Sequence, residues 1–194
     1  MSKNAVLESP RGPVAISLDD KLLDQRAVFL TDEVNRRTMA DLIKEIKYLG
    51  SRDDSDKEIT LYINSPGGTV SDGLALYDVL AASGSPIRTV CIGCAASMGA
   101  ILFLAGEKRE MFEHTRLMIH DPSYGHFDAS GKKPHEIQEE VDSLNKVREK
   151  LAKIISDKTG KSLDEVYEIT AADKYFDADE AIEFGLATGI CKGV

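Results

Sequence analysis

Short apolar runs alternate with longer segments of helical periodicity through the first half of the chain, and few folds accommodate that rhythm. Ala27–Leu30 is short and almost wholly apolar and reads as a buried strand. Residues 34–49 follow, with Met39, Leu42, Ile43, Ile46 and Leu49 recurring at helical spacing. A charged loop over 51–57 leads to a strand over 58–64, a turn at Ser65, Pro66, Gly67 and Gly68, and a helix over 70–82 through Val70, Leu74, Tyr77 and Ala81. A strand over 87–92, a turn of small residues and a helix over 97–104 complete a β-α-β-α-β-α progression. Strands separated by helices run parallel with right-handed crossovers, so an α/β fold with a mainly parallel sheet is predicted.

After residue 107 the pattern changes. Two extended runs, 111–112 and 117–120, precede a polar connector over 122–133. Pro134 then opens a long helix, where its missing N–H costs nothing, and the helix runs to about residue 158 before Gly160. Val141, Leu144, Val147, Leu151, Ile154 and Ile155 form one apolar stripe along it, which predicts a partner surface. Ser162, Asp164 and Glu165 open a short helix, and 177–184 form another that Gly185 ends. The chain divides into an N-terminal segment, 1–20, and a single domain, 21–194.

Charge narrows the functions. With 24 basic against 33 acidic side chains the net charge is −9, which repels phosphate backbones and anionic lipid, so neither nucleic acid nor a membrane surface is expected as a partner. The first 20 residues lack an apolar signal core and an Arg-rich amphipathic pattern, which predicts a cytosolic, cytoplasmic protein. Cys91, Cys94 and Cys191 are too few for a disulfide framework, and the Cys91/Cys94 pair without further ligands makes no zinc site, so buried thiols are expected. Residues 89–106 are uncharged over 18 positions, but Gly93, Gly99 and Gly106 divide them into strand, turn and helix rather than a membrane span.

One junction can do chemistry. Ser97 lies among Gly93, Cys94, Ala95, Ala96, Met98, Gly99 and Ala100, between a buried strand and a helix whose free N–H groups would stabilise an oxyanion. The same serine could simply cap that helix. A serine nucleophile needs a base, and the histidines are His114, His120, His126 and His135. His120 ends an apolar run and so sits at a strand end, whereas the other three lie in polar surroundings. The third member of a triad would be a carboxylate, for which Asp173, at a helix-to-extended transition, is one candidate among many. The loop Asn64 to Gly68 could offer an N–H that completes an oxyanion hole with the N–H of Met98, or be no more than a tight turn.

Taken together, Tyr62 through Gly68, Ala95 through Ala100, Met118 to His120 with Pro122, and Ala181 through Leu186 resemble the proteolytic subunit family of the Clp protease, ClpP. The resemblance spans about residues 22–190. It implies a crotonase-like β/α superhelix with a protruding long helix, a handle region over about 122–158, and an axial or mobile N-terminal segment. It implies Ser97 as nucleophile, His120 as base, Asp173 as orienting carboxylate, and Gly68 and Met98 as oxyanion donors. A peptide would then lie as an added strand between Thr69 and Val70 on one side and Ser123, Tyr124 and Gly125 on the other, reaching His126.

Implied also are a serine endopeptidase of unfolded polypeptides, a heptameric ring that can stack into a tetradecamer, an AAA+ Clp ATPase as partner with room for a ClpP paralogue beside it, and no cofactor or metal in this chain because ATP is used by the ATPase. Asp121, Ser123 and Tyr124 depart from the family's usual residues after the histidine. Lys132, Lys133 and Pro134 give a different connector, Ala172 replaces a common arginine, and Ala82 falls near a usual pocket aromatic. These departures suggest a divergent second isoform. Two competing functions share the fold: an acyl-CoA enzyme that needs no Ser97, and a non-catalytic ring subunit that modulates a paralogue.

Overall fold

The computed structural model describes residues 4–9, 12–125 and 127–193; His126 lies outside them. Strands β1 (Asn4–Ser9) and β2 (Gly12–Ser17) pair antiparallel in a separate two-stranded sheet, so the described part of the N-terminal segment is a hairpin. Ser17 caps α1 (Leu18–Asp24) by accepting from the Asp20 N–H. Neither hairpin nor helix was marked by the alternation of runs, because Val6 and Val14 are exposed and α1 buries no residue fully.

The main body follows the expected alternation. It comprises β3 (Ala27–Leu30), α2 (Arg36–Gly50), β4 (Ile59–Ser65), α3 (Val70–Ala81), β5 (Ile87–Ala96), α4 (Met98–Phe103), β6 (Lys108–Met111) and β7 (Arg116–Ile119). Then come α5 (Pro134–Thr159), α6 (Leu163–Thr170), β8 (Lys174–Phe176), α7 (Ala178–Phe184) and β9 (Gly189–Ile190). The seven-stranded sheet runs β3-β4-β5-β6-β9 and is parallel throughout that path, with β7 pairing β5 and β8 pairing β7 antiparallel. Val28, Leu30, Leu61, Ile63 and Cys91 from the strands meet Met39, Ile46 and Leu76 from the helices in one buried core.

The run expected at 111–112 is the end of a strand that starts at Lys108 and leaves Phe112 outside it, and two other boundaries moved for reasons the hydrogen bonds show. Residue 34 was expected to begin a helix. Instead Val34 is wholly buried and bridges Gly68, and α2 starts after Asn35, whose side chain accepts from Arg37 N and Thr38 N in a capping box. Strand β5 was expected to stop at Ile92 but continues to Ala96, because its small residues pair a second neighbour. Its first half pairs β6, from Arg88 to Cys91, and its second pairs β7, from Cys94 to Ala96. Between them the register against β4 shifts, and Asn64 Oδ1 fills the irregularity by accepting from Cys94 N at 3.0 Å.

The long helix divides its stripe. Leu151 and Ile155 are buried in the chain's own core, with Val147 and Ile154 half-buried beside them. Only Val141, 44% exposed, and the half-buried Leu144 are left for another surface, so the expectation that all six apolar side chains need a partner is corrected. The helix returns into the body through α6, and Arg109 locks that return. Its buried guanidinium donates to the carbonyls of Lys158 and Gly185, at the C-terminal ends of α5 and α7, and to those of Leu186 and Gly106 in the connecting segments.

Candidate active site

Sheet register assembles the site. Ala96 pairs with Met118 in the parallel β5–β7 ladder, and Ser97 N donates to Met118 O at 2.8 Å, so the residue after β5 lies beside the end of β7 where His120 follows. In the antiparallel β7–β8 ladder Ile119 faces Lys174, which brings Asp173 opposite His120. Three residues distant in sequence thus meet because one strand forks and its second neighbour has an antiparallel partner.

Ser97 Oγ lies 2.8 Å from His120 Nε2, and Asp173 Oδ1 lies 3.3 Å from His120 Nδ1. The capping alternative for Ser97 fails, since its side chain makes no cap bond to α4. Its backbone is unusual instead, with φ 52° and ψ −122°, a conformation that costs a non-glycine residue about 1–3 kcal/mol and persists only where surrounding contacts fix it. Those contacts are the Met118 bond on one side and the Ser97 carbonyl, accepting from Ala100 N and Ile101 N, on the other. The sharp strand-to-helix turn lifts the hydroxyl off the sheet toward the histidine. The carboxylate is held less firmly: the Asp173 side chain is 60% exposed and that of His120 26%.

The glycine loop is more than a tight turn. Val34 N donates to Gly67 O at 2.7 Å and Thr69 N donates to Val34 O at 2.8 Å. In this parallel bridge the bonds come from the residues flanking Gly68, which turns the N–H of Gly68 away from Val34 toward the open side. Ser65 Oγ steadies the loop, donating to Asp32 O at 2.6 Å and accepting from Gly67 N at 3.2 Å. A Cβ on Gly67 would stand 2.6 Å from Ala96 O and 2.7 Å from Ser97 Cβ, so the loop packs directly on the Ser97 turn. A Cβ on Gly68, at φ 144°, would collide with the Val34 carbonyl oxygen. Met98, the first residue of α4, has no intrahelical acceptor for its N–H.

Gly68→Ala should therefore displace the loop and its N–H together. Losing one oxyanion donor typically costs about 10²–10³-fold in kcat, and we expect at least that in a peptidase assay, with Gly189→Ala, where a Cβ meets nothing within 4 Å and φ is not positive, as the control. Activity of Gly68→Ala near that of the parent would remove Gly68 from the site.

The remaining candidates are placed as follows. Thr69 is exposed and Val70 half-buried at the start of α3, beside the glycine loop. Ser123, Tyr124 and Gly125 are exposed and outside any strand; the Tyr124 hydroxyl donates to Glu140 O at 2.8 Å and its ring stacks on Phe127, which draws it toward α5. His114 and His135 are exposed. Cys91 is buried as expected, but Cys94 is only partly so, and burial pushes both thiols above the ordinary cysteine range, away from the thiolate a ligand or redox group would be. No cluster of metal-ligating side chains occurs among the described residues, and no helix among them is long and apolar enough to cross a membrane. Sequence reasoning missed Val34, whose role lies in backbone bonds that no residue pattern announces, and the part played by the Ser65 hydroxyl, which reaches a carbonyl 33 residues away in sequence.

Residues 10–193 match the family model described as Clp protease. The chain is 40% identical over 185 residues to the ATP-dependent Clp protease proteolytic subunit 1 of Prochlorococcus marinus (strain NATL2A), covering 94% of this chain and 92% of that one. It is 37% identical over 185 residues to the ATP-dependent Clp protease proteolytic subunit 2 of Parasynechococcus marenigrum (strain WH8102), covering 94% and 91% respectively.

Proposed function

The chain belongs to the Clp protease family and is a serine endopeptidase, and from that premise we propose which of its groups carry the reaction and how it assembles. Ser97 is the nucleophile: its Oγ bonds to the scissile carbonyl carbon while its proton passes to His120 Nε2. The carbonyl oxygen, now negative, is received by the N–H groups of Gly68 and Met98. His120 then gives the proton to the leaving amine as the C–N bond breaks, and water, deprotonated by the same nitrogen, releases the acyl group from Ser97. Asp173 keeps the other ring nitrogen protonated and stabilises the imidazolium. The 2.8 Å contact between Ser97 Oγ and His120 Nε2, beside the outward N–H of Gly68, carries this assignment. The acyl-CoA alternative would leave that contact without a task.

Substrate enters as an extended strand along Gly68, Thr69 and Val70, whose open edge gives main-chain bonds with little demand on sequence, and Ser123, Tyr124 and Gly125 border the other side. The protein serves as the proteolytic subunit of a Clp complex in the cytosol. An ATP-consuming Clp ATPase supplies unfolded polypeptide, and this chain itself needs no cofactor. Val141 and Leu144 on the outer part of α5 pack against other copies or a paralogue in a ring, and two rings stack face to face.

Native mass measurement at micromolar concentration tests the assembly. Single and double rings should stand in a salt-dependent balance, because Ala172 offers no guanidinium for pairing across the rings, and Ala172→Arg should shift it toward the double ring. A monomer under those conditions, or a double ring indifferent to salt, would overturn the assembly.

A further inference from the structure

Asp121 follows the proposed base directly, and it binds two other elements. Its N–H donates to Thr170 O at 2.7 Å, and its Oδ1 accepts from Thr170 Oγ1 at 2.7 Å. Its Oδ2 lies 2.7 Å from Arg148 Nε, on α5. The Arg148 guanidinium in turn sits 4.4 Å above the ring of Tyr167, on α6. Arg148 Nε is buried with its N–H aimed along no acceptor, so charge and ring stacking hold the pair rather than an aligned hydrogen bond.

Thr170 is buried, ends α6 and precedes Asp173 by three residues. One carboxylate therefore ties the residue after His120 to the end of the helix that leads into Asp173, and ties both to α5. That tether matters because the 3.3 Å contact to His120 is the only one holding the exposed Asp173 side chain among the described residues. We propose that Asp121, held by Thr170 and Arg148, is a positioning residue that sets His120 against Asp173, so that alignment of the triad depends on how α5 is seated.

The inference rests on the triad assignment above, and its test is built to separate the two. Asp121→Asn, Arg148→Met and the double variant are assayed on a peptide substrate as the assembled particle, with native mass recorded for each. Misplacement of about 1 Å costs about 10²-fold, so each single variant should lose 10- to 100-fold in kcat with KM changed less than about twofold and the particle intact. The double variant should lose no more than the worse single one, since both break one tether. Arg148→Lys, which keeps the charge, should recover part of the loss.

Unchanged kcat in both single variants, additive losses in the double, or a loss that appears only where the particle dissociates would overturn the proposal. If Asp121→Asn does not fold, the pair Arg148→Met and Arg148→Lys decides by the same criterion. Activity surviving in Ser97→Ala would instead overturn the triad, whereas an inert Ser97→Ala with an unaffected Asp121→Asn would remove only this inference.

Discussion

Ser97→Ala is expected to abolish peptide hydrolysis to within the residual activity of the oxyanion donors, a loss of about 10⁴- to 10⁶-fold in kcat. The size follows from the geometry. The hydroxyl is the atom that attacks, and with His120 Nε2 at 2.8 Å it already lies at hydrogen-bond distance from its base. Removing it leaves a histidine with nothing to deprotonate. The fold should survive, because Ser97 is only partly buried, its side chain caps nothing, and the turn is held by backbone bonds that alanine keeps. His120→Ala should cost nearly as much, and the two together hardly more than either, because triad members act as a unit. Steady-state assays of the three variants, with thermal unfolding to show that each is folded, provide the check. Turnover of Ser97→Ala within tenfold of the parent would sink the assignment.

Asp173→Asn should give the second largest loss, approaching about 10⁴-fold in kcat by the logic of the wrong tautomer. An amide in place of the carboxylate can donate to Nδ1, which would put the ring proton on Nε2 and point a donor at Ser97. The contact is a 3.3 Å approach to His120 Nδ1 made by a side chain 60% exposed, so water already competes for it. The loss should accordingly be largest where a neighbouring copy in the proposed ring would keep water from the contact, and smaller in dispersed material. Measuring kcat for Asp173→Asn and the parent on the same native-mass fractions decides this. Equal rates in every fraction would assign the orienting role to another carboxylate.

Much of this was legible in the chain because apolar periodicity reports burial. Met39, Leu42, Ile46 and Leu49 are buried in α2 at the spacing that predicted the helix, and Ser97, His120 and Asp173 do converge at a strand-to-helix turn, a strand end and a helix-to-strand transition. What the sequence concealed were pairings made by backbone. The fork of β5 at small residues, the Val34 strap over Gly67 and Gly68, and the N-terminal hairpin all depend on hydrogen bonds from groups every residue shares. The helical stripe from Val141 to Ile155 misled for a related reason: periodicity shows that a face wants cover, and Leu151 and Ile155 find theirs in the same chain. Asp121 looked like a mere departure from a resemblance, since neither Arg148 nor Thr170 is near it in sequence.

The central claim is that this chain hydrolyses peptides through a nucleophilic Ser97 activated by His120. Incubation of the assembled protein with a fluorophosphonate, followed by intact mass and peptide mapping, tests it most directly, because the reagent phosphonylates an activated serine and releases fluoride. One adduct per active chain, located on Ser97 and lost in Ser97→Ala and His120→Ala, is the expected result. An active protein that takes up no adduct, or carries it on another residue, would contradict the account.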